Sequence, residues 1–295
     1  MPGSSGKKPT DAPSIAVLGS VNLDIVASAP RMPVPGETVT GATLNRYPGG
    51  KGANQALAAR RLGAEVILCA RVGRDPEADD ALALLRAEGV ELTRCETDSA
   101  APTGIALIVV APSGENQIVV APGANAAFTP DKLDLPQADA LICQLEIPLD
   151  TIAKAAESFE GFLSLNLAPA KAVSKHILRR ADLIVMNETE AAFVGDALAA
   201  HEGLTVITYG RQGAVLKRDG KEIARATPPQ VQAVDTTGAG DAFTAALTIG
   251  LVSGEAPQRA LHFACAVGAC TATRHGAQPS FPRRDEVDAL LLRED

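Results

Sequence analysis

Short, almost unbroken apolar runs recur along the chain, and helical patterns separate most of them. The first opens at Ser14 and stops at Gly19; others cover residues 65–72, 140–146, 162–167, 182–187 and 204–210. Residues 51–62 repeat at helical spacing and end on Gly63, while Asp75-Pro76 starts a helix that ends at Gly89. A strand that is apolar on both sides must be buried on both sides. Alternation of such strands with helices therefore predicts an α/β fold with a central, mostly parallel sheet covered on both faces. With 295 residues the chain can form one large domain of this kind or two modest ones.

Two segments break the alternation. Residues 37–47 are Thr-rich and alternate in polarity, and residues 103–125 read as two β runs joined by a turn over 112–116. Neither has a helix beside it. Together they are expected to form a small antiparallel sheet standing off the main domain, with lid segments at about 37–47 and 103–122. One uncovered apolar face suits a lid, a dimer surface or both; an edge hairpin without a role is the plainer alternative.

Composition excludes several classes. Net charge is −8 and no basic stripe occurs, which argues against a nucleic-acid partner. No run of eighteen apolar residues is present, which argues against a membrane span. Residues 1–13 are expected to be a disordered tail and not a signal peptide. The five cysteines are scattered and mostly sit in apolar runs, as expected of reduced thiols in the cytoplasm. Aromatics make up only 3% of the chain, so a ligand ring would rest mainly on aliphatic walls. The P-loop, G-x-G-x-x-G, G-x-S-x-G and H-E-x-x-H patterns are all absent, and the four histidines are isolated.

The stretch AVDTTGAGDAFTAAL (233–247) carries the chemistry. Asp241 alone could be a helix cap. Gly238 and Gly240 around Ala239 need another reason. Successive uncovered backbone N–H groups at the positive end of a helix bind an anion. A carboxylate beside an anion site has a use if it takes the proton of a hydroxyl attacking a phosphoryl group. A second glycine cluster, PGGKGANQA (48–56), opens the helix after 50 and carries Gly50, Lys51 and Asn54. Asn22 and Asp24 fall in the expected first β–α loop, and Glu146 and Asn187 end later strands. In a parallel sheet these strand ends converge, which suits a polyhydroxylated ligand.

PGGKGANQA together with DTTGAGDAF resembles the two signatures of the ribokinase-like (PfkB) family of carbohydrate kinases. The likeness runs from about residue 14 to 292 and includes GSVNLD (19–24), QLE (144–146), NETE (187–190), TYGRQGA (208–214) and TRHGAQPSFP (273–282). It implies a three-layer α/β fold with a β lid, often paired in a homodimer. It implies transfer of phosphate from ATP–Mg²⁺ to a sugar hydroxyl. GGKGANQA and GAQPS are most similar to members that phosphorylate D-ribose at its 5-hydroxyl. By the same resemblance Asp241 is the base, and Gly238, Ala239 and Gly240 form the anion hole. Asn22, Asp24, Gly50, Lys51, Asn54 and Glu146 hold the sugar. Asn187, Thr208, Gly210, Gly213 and Gly240 lie along the nucleotide, and Glu190 influences the Mg²⁺ environment. A monovalent cation, usually K⁺, would lie near Asp235, Thr237, Thr271, Arg274, Gly276 and Ser280, several of them through carbonyls; oxygen-only ligands suit a hard cation.

Plainer readings exist for many of these positions: Gly210 and Gly213 as turn residues, Glu190 as a surface acid, Asn54 as decoration of a first turn, Lys51 as a solvated charge, Thr208 and Ser280 as local backbone partners. At the level of function the alternatives are a kinase for 2-deoxyribose, another pentose or a nucleoside, a catalytically silent sugar sensor, and an interaction protein using the lid surface.

Overall fold

In the computed structural model, which describes residues 12–293, the chain alternates as its apolar runs predict. It runs β1 (Ser14–Leu18), β2 (Asn22–Ser28), β3 (Thr43–Gly49), α1 (Lys51–Arg61), β4 (Glu65–Gly73), α2 (Pro76–Ala87), β5 (Cys95–Asp98), β6 (Gly104–Val110) and β7 (Asn116–Ala121). It continues with β8 (Ala140–Cys143), α3 (Leu149–Ser158), β9 (Phe162–Asn166), α4 (Lys175–Arg180), β10 (Leu183–Asn187), α5 (Glu188–Val194), β11 (Leu204–Thr208), β12 (Ala214–Arg218) and β13 (Lys221–Ala226). Three helices close it: α6 (Ala239–Val252), α7 (Pro257–Thr271) and α8 (Arg284–Leu291). Residues 1–11 of the expected tail lie outside the described residues.

A nine-stranded sheet in the order β13-β12-β11-β10-β9-β8-β1-β4-β5 forms the middle layer. All its pairings are parallel except the two made by β12. Successive side chains on its strands enter different cores. Ile15 and Val17, with Ala140 and Ile142, pack with α1, α2, α6, α7 and α8. Ala16 and Leu18, with Leu141 and Cys143, pack with α3 and α4. This is the period-2 consequence of burying both faces. The cysteines form no disulfide, and all but Cys95 are buried. Among the described residues no helix is long and apolar enough to cross a membrane.

The second sheet has the order β3-β2-β6-β7 and corrects two expectations. It is mixed and not antiparallel, because β2 pairs with β6 in parallel. Asn22 and Asp24 do not lie in a β–α loop either; they sit on β2, an inner strand of this sheet. The alternation of Ser20, Asn22 and Asp24 with Val21, Leu23 and Ile25 is a period-2 strand pattern, and it marks the change of sheet after Gly19. The base of the lid is tied down by polar side chains. Asn125 accepts from the Val21 N–H at 2.9 Å and donates to the Val21 carbonyl at 3.0 Å. Asp75 caps α2 through the Ala78 N–H at 3.0 Å and accepts from the Thr103 N–H, just before β6, at 2.7 Å.

Candidate active site

The site forms where the lid meets the carboxyl ends of β1 and β8 and the amino ends of α1 and α6. Gly50 makes the turn into α1 with φ at 86°, and a Cβ there would stand 2.7 Å from the Asn22 nitrogen. The sharp turn brings Lys51 against Glu146, whose Oε2 accepts from the Lys51 backbone N–H at 3.0 Å. The Ser20 hydroxyl donates to the same carboxylate oxygen. Glu146 does not end its strand as expected: β8 stops at Cys143, three residues earlier, and the loop at Ser20 and the start of α1 hold the carboxylate. Asn22 Oδ1 accepts from Asn125 Nδ2 at 2.8 Å, which fixes the orientation of the Asn22 amide.

Asp241 is the third residue of α6, behind the left-handed Gly238, and is almost fully buried. Its carboxylate does not cap the helix. Oδ2 accepts from Asn54 Nδ2 at 2.9 Å, and Oδ1 accepts from Gln55 Nε2 at 3.0 Å. Burial pushes its carboxyl above the ordinary range, against the Lys51 ammonium and the two amide donors. Asp24 is pushed up to about 7, first by burial and then by Glu146 and Asp241, with Lys51 opposing. Burial works against the Lys51 ammonium, but Asp241, Glu146, Glu190 and Asp24 outweigh it and hold its pKa above the usual value. The cluster thus concentrates carboxylates around one cation, an arrangement that accepts hydrogen bonds from several hydroxyls.

Beside the amino end of α6 opens a cavity of about 580 Å³. Thr208, Gly210, Gly213, Ala239 and Gly240 are among its lining residues. Its apolar wall includes Val231, Ala233, Ala269 and Ala272, with Phe243 the one aromatic. A Cβ on Gly240 would meet nothing within 4 Å. The Ala239 N–H already donates to the Thr236 carbonyl at 3.2 Å. Asn187 is not in this lining. It caps α5 in a reciprocal box: Glu190 N–H donates to Asn187 Oδ1 at 2.9 Å, and Asn187 N–H donates to Glu190 Oε2 at 2.8 Å. A second cavity, about 530 Å³ beside α2 and lined by Arg74, Asp79 and Arg86, holds none of these residues.

Asp235 gathers the loops expected around a cation. It accepts from the Thr237 N–H at 2.9 Å and the Gly276 N–H at 2.8 Å. Burial raises its pKa, but those bonds and the Thr237 hydroxyl outweigh it and hold it low. The hydroxyls of Thr271 and Ser280 are spent on the Val267 and Ala277 carbonyls at 2.9 and 2.7 Å. Arg274 pairs with Glu286. Among the described residues no His, Cys, Asp and Glu side chains group as a metal site.

Sequence reasoning missed Ser20, Gln55, Asn125, Gln144 and Asn166. Gln55 and Gln144 stood beside quoted positions in GKGANQA and ICQLE. Their signal was a glutamine inside a stretch apolar enough to be buried, where an amide needs partners.

Comparison with known proteins gives the family and the fold. Residues 12–284 match the pfkB family carbohydrate kinase model. The chain is 37% identical over 292 residues to the ribokinase of Bacillus subtilis, covering 94% of this chain and 99% of that protein. It is 31% identical over 301 residues to the deoxyribokinase of Salmonella typhi, covering 94% of this chain and 98% of that protein. The structure of Arabidopsis thaliana ribokinase complexed with ribose and ATP superposes with a TM-score of 0.85 at 29% identity, covering 95% of this chain and 99% of the other.

Proposed function

Because this chain belongs to the pfkB family of carbohydrate kinases, we propose that it transfers the γ-phosphoryl group of ATP to the 5-hydroxyl of D-ribose. The observation that carries this reading is the position of Asp241. It stands between the polar cluster of Asp24, Lys51 and Glu146 and the cavity lined by Thr208, Gly210, Gly213 and Gly240. Sugar binds on the lid side through Asn22, Asp24, Gly50, Lys51, Asn54 and Glu146. Nucleotide lies in the cavity. Asp241 accepts the hydroxyl proton as that oxygen attacks the γ-phosphorus, the bond to the bridging oxygen breaks, and ADP leaves. The N–H groups of Gly238 and Gly240, at the amino end of α6, stabilise charge on the transferring group; the Ala239 N–H is already drawn to Thr236.

Mg²⁺ travels with ATP, and Asn187 and Glu190 act on its surroundings from the α5 cap. The donor set around Asp235 fits a hard monovalent cation such as K⁺. Its Thr271 and Ser280 hydroxyls face their own backbone, so the oxygens offered are the Asp235 carboxylate and main-chain carbonyls of Thr237, Thr271, Arg274, Gly276 and Ser280. The acting unit is a homodimer closed through the lid sheets, and the cytoplasm, where ATP is found and thiols stay reduced, is its compartment.

The similarity to a deoxyribokinase favours 2-deoxyribose as the second reading. ADP release from ATP–Mg²⁺ with ribose, 2-deoxyribose, fructose, adenosine or no sugar, each with and without K⁺, separates them. The expected result is ribose-dependent, K⁺-stimulated release. Asp241→Asn should lower it by about 10²–10⁴-fold with the fold retained. Near-normal turnover in that variant would remove the base assignment, and release with deoxyribose alone would move the substrate.

A further inference from the structure

A chain of buried side-chain amides lies behind the candidate base. Gln55 and Gln144 are completely buried, and Asn166 nearly so. Asn166 Nδ2 donates to the backbone carbonyl of Val185 at 3.2 Å. Gln55 Nε2 donates to Asn166 Oδ1 at 3.1 Å and to Asp241 Oδ1 at 3.0 Å. Gln144 Nε2 donates to Gln55 Oε1 at 2.6 Å.

The polarity of this chain follows from one fixed point. A carboxamide can be turned by 180° with little change in shape, so its orientation is set by its partners. The Val185 carbonyl can only accept, so Asn166 must offer it the amino group. Asn166 Oδ1 then faces Gln55, and Gln55 must offer its own amino group. That places Gln55 Oε1 toward Gln144, which must donate. Both hydrogens of Gln55 Nε2 are thereby committed, one to Asn166 and one to Asp241. Packing keeps the relay closed: a Cβ on Gly19 would collide with Gln144 Oε1.

We propose that Gln55 is a positioning residue for phosphoryl transfer, its amide locked by Asn166 and Gln144 so that it always presents a donor to Asp241. The inference rests on the reading of Asp241 as the base. Asn54 fixes the other carboxylate oxygen, so Asp241 is held from two sides, with lone pairs left for an incoming hydroxyl. A donor to a buried carboxylate also favours its charged form, which a base must have before it can take a proton. Asn54 and Gln55 divide the work. Asn54 Oδ1 is buried without a hydrogen-bond partner in the protein, whereas every polar atom of the Gln55 amide is engaged behind the base.

The test is the pH dependence of kcat for sugar-dependent ADP release in Gln55→Met and Gln55→Glu, beside Asp241→Asn, with thermal melting recorded for each. Gln55→Met removes the donor at similar length. Its acid limb should move up by about one pH unit, the size expected for one hydrogen bond to a charged group. The rate deficit should approach tenfold on the acid side of both midpoints and vanish on the alkaline side, while the sugar KM changes little. Gln55→Glu sets a second carboxyl against the base and should move the limb in the same direction by more. If Gln55→Met does not fold, Gln55→Glu alone decides. Folded Gln55 variants whose acid limb stays at the wild-type midpoint, with a lower melting temperature only, overturn the positioning role while an inactive Asp241→Asn leaves the base intact. An Asp241→Asn variant with normal turnover overturns the base reading itself.

Discussion

Asp24 shows at the scale of one residue what the site costs the fold. Its carboxyl is raised from 3.8 to about 7 by burial and by two neighbouring carboxylates. A group held above its unfolded pKa stabilises the fold at acid pH, and that contribution disappears as the pH rises through the folded value. The unliganded protein should therefore lose stability on this account between about pH 4 and 7. Asp24→Asn removes the titration. Since Asp24 is only half-buried, we expect the variant to gain about 1–2 kcal/mol at pH 8 relative to wild type, and little at pH 4. Sugar binding should be lost at the same time. Melting curves of both proteins at the two pH values check it; an equal gap at each would show that Asp24 is not the strained group.

The amino end of α6 separates two glycines that look alike in the sequence. Gly238 has φ at 80°, and a Cβ there would come within 2.8 Å of Phe281 and 2.9 Å of Ala277. Gly240 lies inside the helix with open space beside it. Gly238→Ala should destabilise the protein by about 1–3 kcal/mol. Gly240→Ala should be neutral or stabilise by up to about 1 kcal/mol, because alanine is the better helix residue. Yet its methyl group would enter the cavity mouth, so turnover should fall at least tenfold. Denaturant midpoints and ADP release, measured together, read both effects. Normal turnover in Gly240→Ala would mean that no ligand approaches this backbone. At the α5 terminus the reciprocal cap uses only Asn187 Oδ1 and Glu190 Oε2, and leaves Asn187 Nδ2 and Glu190 Oε1 outside it.

At the scale of the whole molecule, the small sheet carries half of the exposed large apolar side chains among the described residues. Leu44, Leu107 and Val119 are exposed on one face of the small sheet, and Ile118 and Val120 on the other. An apolar sheet exposed on both faces is a poor end state in water. Pairing of two lids would cover it. Sedimentation should give a mass near twice 30.3 kDa for the wild type. A Leu107→Glu/Val119→Glu double variant should sediment as a monomer, with the main-sheet melting transition unchanged. A monomeric wild type, or a variant that stays paired, would place the interface elsewhere.

The elements and the class of reaction can be read from the residues in order along the chain. Local periodicity records whether a strand is buried on both faces, and paired glycines before an apolar helical run record a helix start. Such signals lie within a few residues, so the parallel sheet and the helix starts at Lys51 and Pro76 were legible, as was the helix that opens at the glycines before Asp241. Folding in three dimensions decided which sheet Asn22 and Asp24 enter, because pairing partners lie tens of residues away and leave no local mark. It likewise decided what surrounds Asp241. Gln55, Gln144 and Asn166 come from three separate elements, and a buried amide shows its partner only once the chain has folded.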